Sequence, residues 1–307
     1  MTDDIPFNKT LDLAPDTVDE VAPGVRRVMA NNPGPFTFKG TMSYVLGRGE
    51  VAIVDPGPAD EAHIGALLDA VRNETVTHIF VTHTHRDHSP AVPAIKRATG
   101  ATVYAEGPHR PARPLHIGEL NPLDSSGDHD FRPDVTLRDG EVVTGKGWTV
   151  EAVTTPGHTA NHMAYAFREQ NVLFAGDHVM GWSTSIVAPP DGAMSDYMNS
   201  LYKLEKRAET IYFSGHGDVI RDAPRFVKSY IAHRQAREAS ILHRLAKNGP
   251  EGVCDIPTLV RAIYIGIDPR LTGAAGLSVL AHLEDLVTRG VVATDGTPAI
   301  DGLYRLA

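Results

Sequence analysis

Short apolar runs, separated by glycine- and proline-marked breaks, fill the first two-thirds of the chain. Residues 25–29, 42–46 and 51–55 read as short strands. Residues 61–71 have helical spacing, with Ile64, Leu67, Leu68 and Val71 on one face. A β-branched run over 78–82 predicts a strand that stops at His83, followed by a helix at 90–98 and a strand at 101–105. The loop 83–89 therefore falls at the carboxyl end of a buried strand, where the sites of α/β folds commonly collect. Residues 106–133 are irregular, with five prolines and three glycines, and a loop of that length is usually functional or mobile. Strands resume at 142–143, 148–153, 164–167, 172–175 and 211–213. A helix is predicted over 195–207, with Ser195 as its N-cap. Its apolar face holds Tyr197, Leu201 and Leu204, and Tyr202 is also read as packing.

Beyond residue 216 the texture changes to long helical patterns at 224–246, 256–264 and 272–288, then a small hairpin from 290–297 and 300–305. Helices followed by a hairpin point to a winged-helix module. The expected organisation is a loosely attached acidic lead-in (1–20), a catalytic domain (21–220) and a C-terminal domain (221–307). Asp222 and Arg225 are read as capping or covering the long helix.

Composition is that of a globular chain, with 42% hydrophobic and 22% charged residues. The formal charge of −9 argues against a typical nucleic-acid binder, whose affinity rests on neutralising phosphates. The charge is uneven: from Ile220 onward there are 11 Lys+Arg against 9 Asp+Glu. Within 224–246, Arg234 and Arg237 can share a face, a hint of an RNA-facing surface beside Arg225, Lys228 and Arg244. No signal peptide, membrane span or disulfide framework is read, since Cys254 is the single cysteine and lies away from the other motifs. A cytoplasmic protein without membrane partners is expected, with a homodimer possible.

The chemistry centres on Thr82-His83-Thr84-His85-Arg86-Asp87-His88, which sets four potential metal ligands within six residues. Alternation puts His83 and His85 on one side of an extended segment, while Asp87 and His88 follow where the chain turns. One short segment can thus serve two adjacent metals, and imidazole with carboxylate suits zinc, with iron or manganese sharing the same donors. More ligands must come from elsewhere. Three other strand ends offer one beside a glycine: Pro156-Gly157-His158-Thr159, Ala175-Gly176-Asp177-His178 and Ser214-Gly215-His216-Gly217. A lone His or Asp after a strand is ordinarily a turn residue, but four such segments in one chain are not.

The series HTHRDH, PGHT, AGDH and SGHG resembles the ligand motifs of the metallo-β-lactamase superfamily, and Val54-Asp55-Pro56-Gly57 resembles its early aspartate motif. The segment from Asn32 to Tyr44, together with the Gly-His-Gly motif and the C-terminal pattern, is similar to the metallo-β-lactamase-like protein 2 group. The resemblance implies an αββα sandwich followed by a small winged-helix-like domain. It implies His83, His85 and His158 on one metal, Asp87, His88 and His216 on the other, and Asp177 bridging. It also implies Asp55 as a buttress behind the histidine loop. The chain departs from the group at Ser214 and Asn161, neither of them an expected ligand.

The expected cofactor is a pair of Zn(2+) ions, and the expected nucleophile is a metal-bridging hydroxide, since two metals sharing a water lower its pKa towards 7. Asp87 and Asp177 are the expected catalytic carboxylates, and His162 and His178 are candidates for support or proton donation. Arg110, Arg113 and His116 lie in the long loop, where solvated side chains are the simpler reading. An ester or thioester hydrolase, acting on a small-molecule or carrier-bound substrate, heads the readings. A single-stranded RNA endonuclease is the alternative, known among relatives of the group alongside polyketide thioesterases. A winged-helix regulatory protein is a third reading, and a true β-lactamase ranks last because Asp177 adds a bridging carboxylate that lactamases lack.

Overall fold

The computed structural model describes residues 5–247 and 252–307. A first sheet runs β1 (Val18–Ala22), β2 (Val25–Met29), β3 (Met42–Arg48), β4 (Glu50–Val54), β5 (Thr75–Phe80), β6 (Thr102–Ala105) and β7 (Val135–Thr136), paired in that order. Pairing is antiparallel to β4 and parallel from β4 to β7. Helices α1 (Glu61–Ala70) and α2 (Val92–Thr99) make the first two parallel crossovers, and the long loop after β6 makes the third. The second sheet holds β8 (Val142–Gly145), β9 (Trp148–Thr154), β10 (Met163–Phe167), β11 (Val172–Gly176) and β12 (Ile211–Ser214).

Strand alternation explains the layers. Tyr44 and Leu46 of β3 and Phe80 of β5 face the second sheet and meet Trp148, Tyr165, Phe174 and Phe213. Val45 and Ile53 point the other way, onto Leu67 of α1 and Ile95 of α2. On the outer face of the second sheet, Val153, Ala164, Leu173 and Tyr212 pack under α3 (Met194–Glu205) and α4 (Ala223–Ala246). The result is the expected αββα sandwich. Helices α5 (Ile256–Ile263) and α6 (Thr272–Thr288) form the C-terminal unit with β13 (Cys254–Asp255), β14 (Val292–Thr294) and β15 (Leu303–Leu306). The hairpin β14–β15 agrees with the sequence pattern, but β13 joins β15 as a third strand. Helix α4 belongs to both cores: Phe226, Val227 and Tyr230 pack with the sandwich, Ile241 and Leu245 with α5 and α6. Its N-cap is Asp222, as expected.

Several expectations are corrected. The lead-in is not loose: β1 pairs with β2, Ile5 is buried under the sandwich and Phe7 packs edge-on against Tyr230. Short apolar side chains spaced among acidic ones hide this in the sequence. Ser195 is not a cap. Helix α3 starts at Met194 after an extended Ala193, because the Ala193 N–H is held by the Gly157 carbonyl and the turn begins one residue early. The strand expected over 78–82 is β5, which ends at Phe80, because the Asp55 carboxylate takes the Thr82 N–H out of the ladder. No helix among the described residues is long and apolar enough to cross a membrane.

Replacing Ile5 with alanine should lower unfolding stability by about 2 kcal/mol in urea, the usual cost of emptying a buried aliphatic site. A midpoint unchanged from wild type would put the N-terminal segment outside the core.

Candidate metal centre

The loop after β5 delivers His83, His85, Asp87 and His88 to the same end of the sandwich as the turns after β9, β11 and β12. There they meet His158, Asp177 and His216. Donor atoms of three overlapping groups lie within 4.8 Å of one another: His83, His85 and His158; His83, His88 and Asp177; Asp87, His88 and His216.

Tautomers can be assigned from the partners of the far ring nitrogens. The Nδ1 of His158 donates to the Ile186 carbonyl at 2.7 Å, and that of His216 to the Gly40 carbonyl at 3.2 Å. His88 donates through Nδ1 to Asp55 Oδ2 at 2.9 Å. His83 Nδ1 lies 3.1 Å from Thr82 Oγ1, whose own proton goes to Asp55 Oδ2, so that oxygen accepts. In all four rings Nε2 is the nitrogen that faces inward, free to bind an ion once any proton on it is displaced. His83 Nε2 and His158 Nε2 both point at His85 Nδ1, at 3.0 and 3.1 Å. One proton there can satisfy only one of them; a cation suits all three.

The second half is similar. His216 Nε2 lies 3.2 Å from both Asp87 Oδ2 and Asp177 Oδ2, and His88 Nε2 lies 3.5 Å from Asp87 Oδ2 and from Asp177 Oδ1. These spacings bracket the edge, about 3.3 Å, of a tetrahedron with zinc–nitrogen bonds. His88 Nε2 and Asp177 Oδ1 are buried without a hydrogen-bond partner among the described residues. An unmade bond of this kind costs about 1–3 kcal/mol unless an ion takes it up. The residues present fit a metal pair.

Electrostatics divide the two halves. Burial, then the neighbouring histidines, holds the His83 imidazole well below its ordinary value, and burial with His158 takes His85 down to about 3. These rings are neutral donors. Burial also opposes charge on His88 and His216, but Asp87 and Asp177 overcome it, lifting His216 to about 10 and His88 well above its usual range. A pocket whose carboxylates favour a proton this strongly favours a divalent cation for the same reason.

Further residues hold the cluster in place. Asp55, at φ 49°, binds the Thr82 N–H at 2.7 Å while its other oxygen holds Thr82 Oγ1 and His88. His162 accepts the Asp177 N–H at 3.2 Å and donates to Thr155 Oγ1 at 2.8 Å, so it braces the backbone from behind. The His178 ring packs 4.5 Å from Tyr197, with no ring hydrogen bond among the described residues; its carbonyl, bound by Tyr197 and Ser185, is what supports the loop. Asn161 is buried and donates to Thr84 Oγ1 at 2.9 Å.

Several supports carry no motif. Thr41 Oγ1 donates to Asp87 Oδ2 at 3.0 Å. Ser185 Oγ donates to the Asp177 carbonyl, and Arg234 donates to the Ser185 carbonyl from α4. Tyr230 of α4 donates to Ser183 O at 2.6 Å. Asp177 is therefore anchored by helix α4. Arg234 is 3% exposed and lies over the Tyr197 ring, and Arg237 lies over Tyr264, so the pair is not the exposed basic face that spacing alone allowed. In the long loop, Arg110 pairs with Glu106, and Arg113 pairs with Glu119 and with Glu284 of α6. The glycines of the turns are steric necessities. A Cβ on Gly215 would stand 2.2 Å from Asp177 Oδ1 and 2.6 Å from the His88 ring.

Residues 36–216 match the Metallo-beta-lactamase superfamily, and residues 256–300 match the Beta-lactamase associated winged helix domain. An atrochrysone carboxyl ACP thioesterase of Claviceps purpurea is 32% identical over 75% of this chain and 68% of its own. A beta-lactamase-like protein 2 homolog of Caenorhabditis elegans is 32% identical over 80% of this chain and 79% of its own. A metallo-beta-lactamase family protein from Thermus thermophilus superposes with a TM-score of 0.74 at 25% identity, covering 94% of this chain and all of that one.

Two substitutions probe the supports. Asp55→Ala should weaken metal binding by about 10–100-fold in a chelator competition, with the fold retained by circular dichroism. Gly215→Ala should lose metal on dialysis that wild type survives; full retention would contradict the close approach of Gly215 to Asp177 and His88.

Proposed function

This chain belongs to the metallo-β-lactamase superfamily and is a hydrolase, and on that premise we propose that it works with two metal ions on acyl thioesters, small or carrier-bound. His83, His85 and His158 would hold one ion, Asp87, His88 and His216 the other, and Asp177 would be shared. The observation that carries this reading is a pair of donor groups with the Asp177 carboxylate between them, 3.8 Å from His158 and 3.2 Å from His216, and the far nitrogens of His83, His88, His158 and His216 already engaged. The N/O donor set favours zinc, with iron or manganese on the same atoms. Bound there, such ions supply Lewis acidity and an acidified water at neutral pH. The chain's own part is orientation. Thr41 fixes one oxygen of Asp87, leaving its other oxygen for a proton contact, and Ser185 with His162 fixes the backbone of Asp177 from both sides. A thioester is favoured over RNA by the acidic charge and by the burial of Arg234, and the thioesterase relative adds to that preference. We take residues 21–220 as the catalytic unit and 221–307 as its appended partner.

Purified, metal-loaded protein should hydrolyse acyl-pantetheine thioesters, and Asp177→Ala should cut the rate by more than about 100-fold with loss of bound metal. Unchanged turnover in Asp177→Ala would remove the assignment. Cleavage of labelled single-stranded RNA without thioester turnover would move the function to the nuclease reading.

A further inference from the structure

The turn between β2 and β3, residues 31–41, reaches the metal cluster at one end and carries exposed aromatics at the other. Its cluster end is Thr41, on Asp87, and Gly40, whose carbonyl holds His216. At the other end Phe38 sits at φ 57°, a conformation that a bulky side chain rarely adopts, held by its N–H on the Gly34 carbonyl at 2.9 Å. Its ring stacks on Trp182 with centroids 4.9 Å apart and planes 16° from parallel. Trp182 lies five residues beyond Asp177 and reaches the rim because Gly217, next to His216, has no Cβ; one there would come within 3.0 Å of the indole.

Structure alone does not call for this stack. Both rings are half-exposed, and neither belongs to any of the four hydrophobic cores. The Trp182 Nε1 is buried with no hydrogen-bond partner among the described residues. Phe36, 50% exposed, stands on the same turn, and Lys39 Nζ lies 5.8 Å from the Phe38 centroid. Planar apolar surface, fixed beside the Asp87–His88–His216 half of the site, is suited to a flat ligand group, because offset stacking rewards planarity beyond the area it buries.

We propose that the Phe38–Trp182 pair is a subsite for an aromatic acyl group, so that this enzyme prefers aryl over alkyl thioesters. The proposal rests on the thioester reading for its substrate, while the stack itself can be tested without turnover. A nucleobase would stack as well, but a strand of RNA needs a track of cations along its phosphates, and Lys39 is the one cation placed at this stack among the described residues.

Two measurements decide it. The first compares kcat/KM for 2-naphthoyl- and octanoyl-pantetheine in wild type, Trp182→Ala and Phe38→Leu. The aryl-to-alkyl ratio should exceed one in wild type and fall about tenfold in each variant. A ratio unchanged by both substitutions overturns the subsite while leaving the thioesterase reading in place. The second titrates 4-nitrobenzoate and reads tryptophan fluorescence. The chain has two tryptophans, and Trp148 is 1% exposed, so quenching reports Trp182. Saturable quenching in wild type, lost in Trp182→Phe, supports the subsite even if neither thioester turns over, a result that would sink only the thioester reading. No saturable quenching, or saturation by AMP but not by 4-nitrobenzoate, overturns the aryl assignment.

Discussion

This centre depends on where the far nitrogens of four of its histidines are tied. A neutral imidazole offers one lone pair, and which nitrogen carries it is set by the bond the other one makes. Here the acceptors are an aspartate, a threonine hydroxyl and two backbone carbonyls, each supplied by a different part of the sandwich. Four rings are thereby turned with Nε2 inward before any ion arrives. The fold does not merely bring these donors close; for four rings it also sets which nitrogen faces inward.

That requirement explains the architecture around the site. Parallel β4 and β5 place Asp55 beneath the histidine loop, where one carboxylate serves the backbone of Thr82 and the ring of His88. The turn before β3 supplies the Gly40 carbonyl and Thr41, and the loop after β11 supplies the Ile186 carbonyl. That loop is irregular, so its shape has to be imposed from outside. Tyr197 of α3 and Tyr230 and Arg234 of α4 impose it through its carbonyl groups.

The candidate ligands are legible in the sequence because four of them crowd into residues 83–88 at the end of an apolar run, and His158, Asp177 and His216 each stand beside glycine after a strand. The αββα layers follow from the family resemblance those motifs carry; the structure then divides alternate residues of 51–54 between two cores. The supports are not legible. A backbone carbonyl acceptor has no residue type, so nothing marks Gly40 or Ile186. Thr41 looks like any threonine in a turn. Arg234 reads as a surface cation because helical spacing shows which face a residue occupies but not what covers it; Tyr197 and the loop after Asp177 bury it. Ile5 and β1 are obscured by the acidic residues around them.

Helix α4 runs from one hydrophobic core into the other and touches the loop of Asp177 on the way. The C-terminal unit is thus continuous with the framework of the metal site. A recombination event that exchanged the unit at its visible sequence boundary would carry off Tyr230 and Arg234 with it. Inheritance of this candidate metal centre is therefore tied to inheritance of its neighbour, and the two halves are constrained to diversify together.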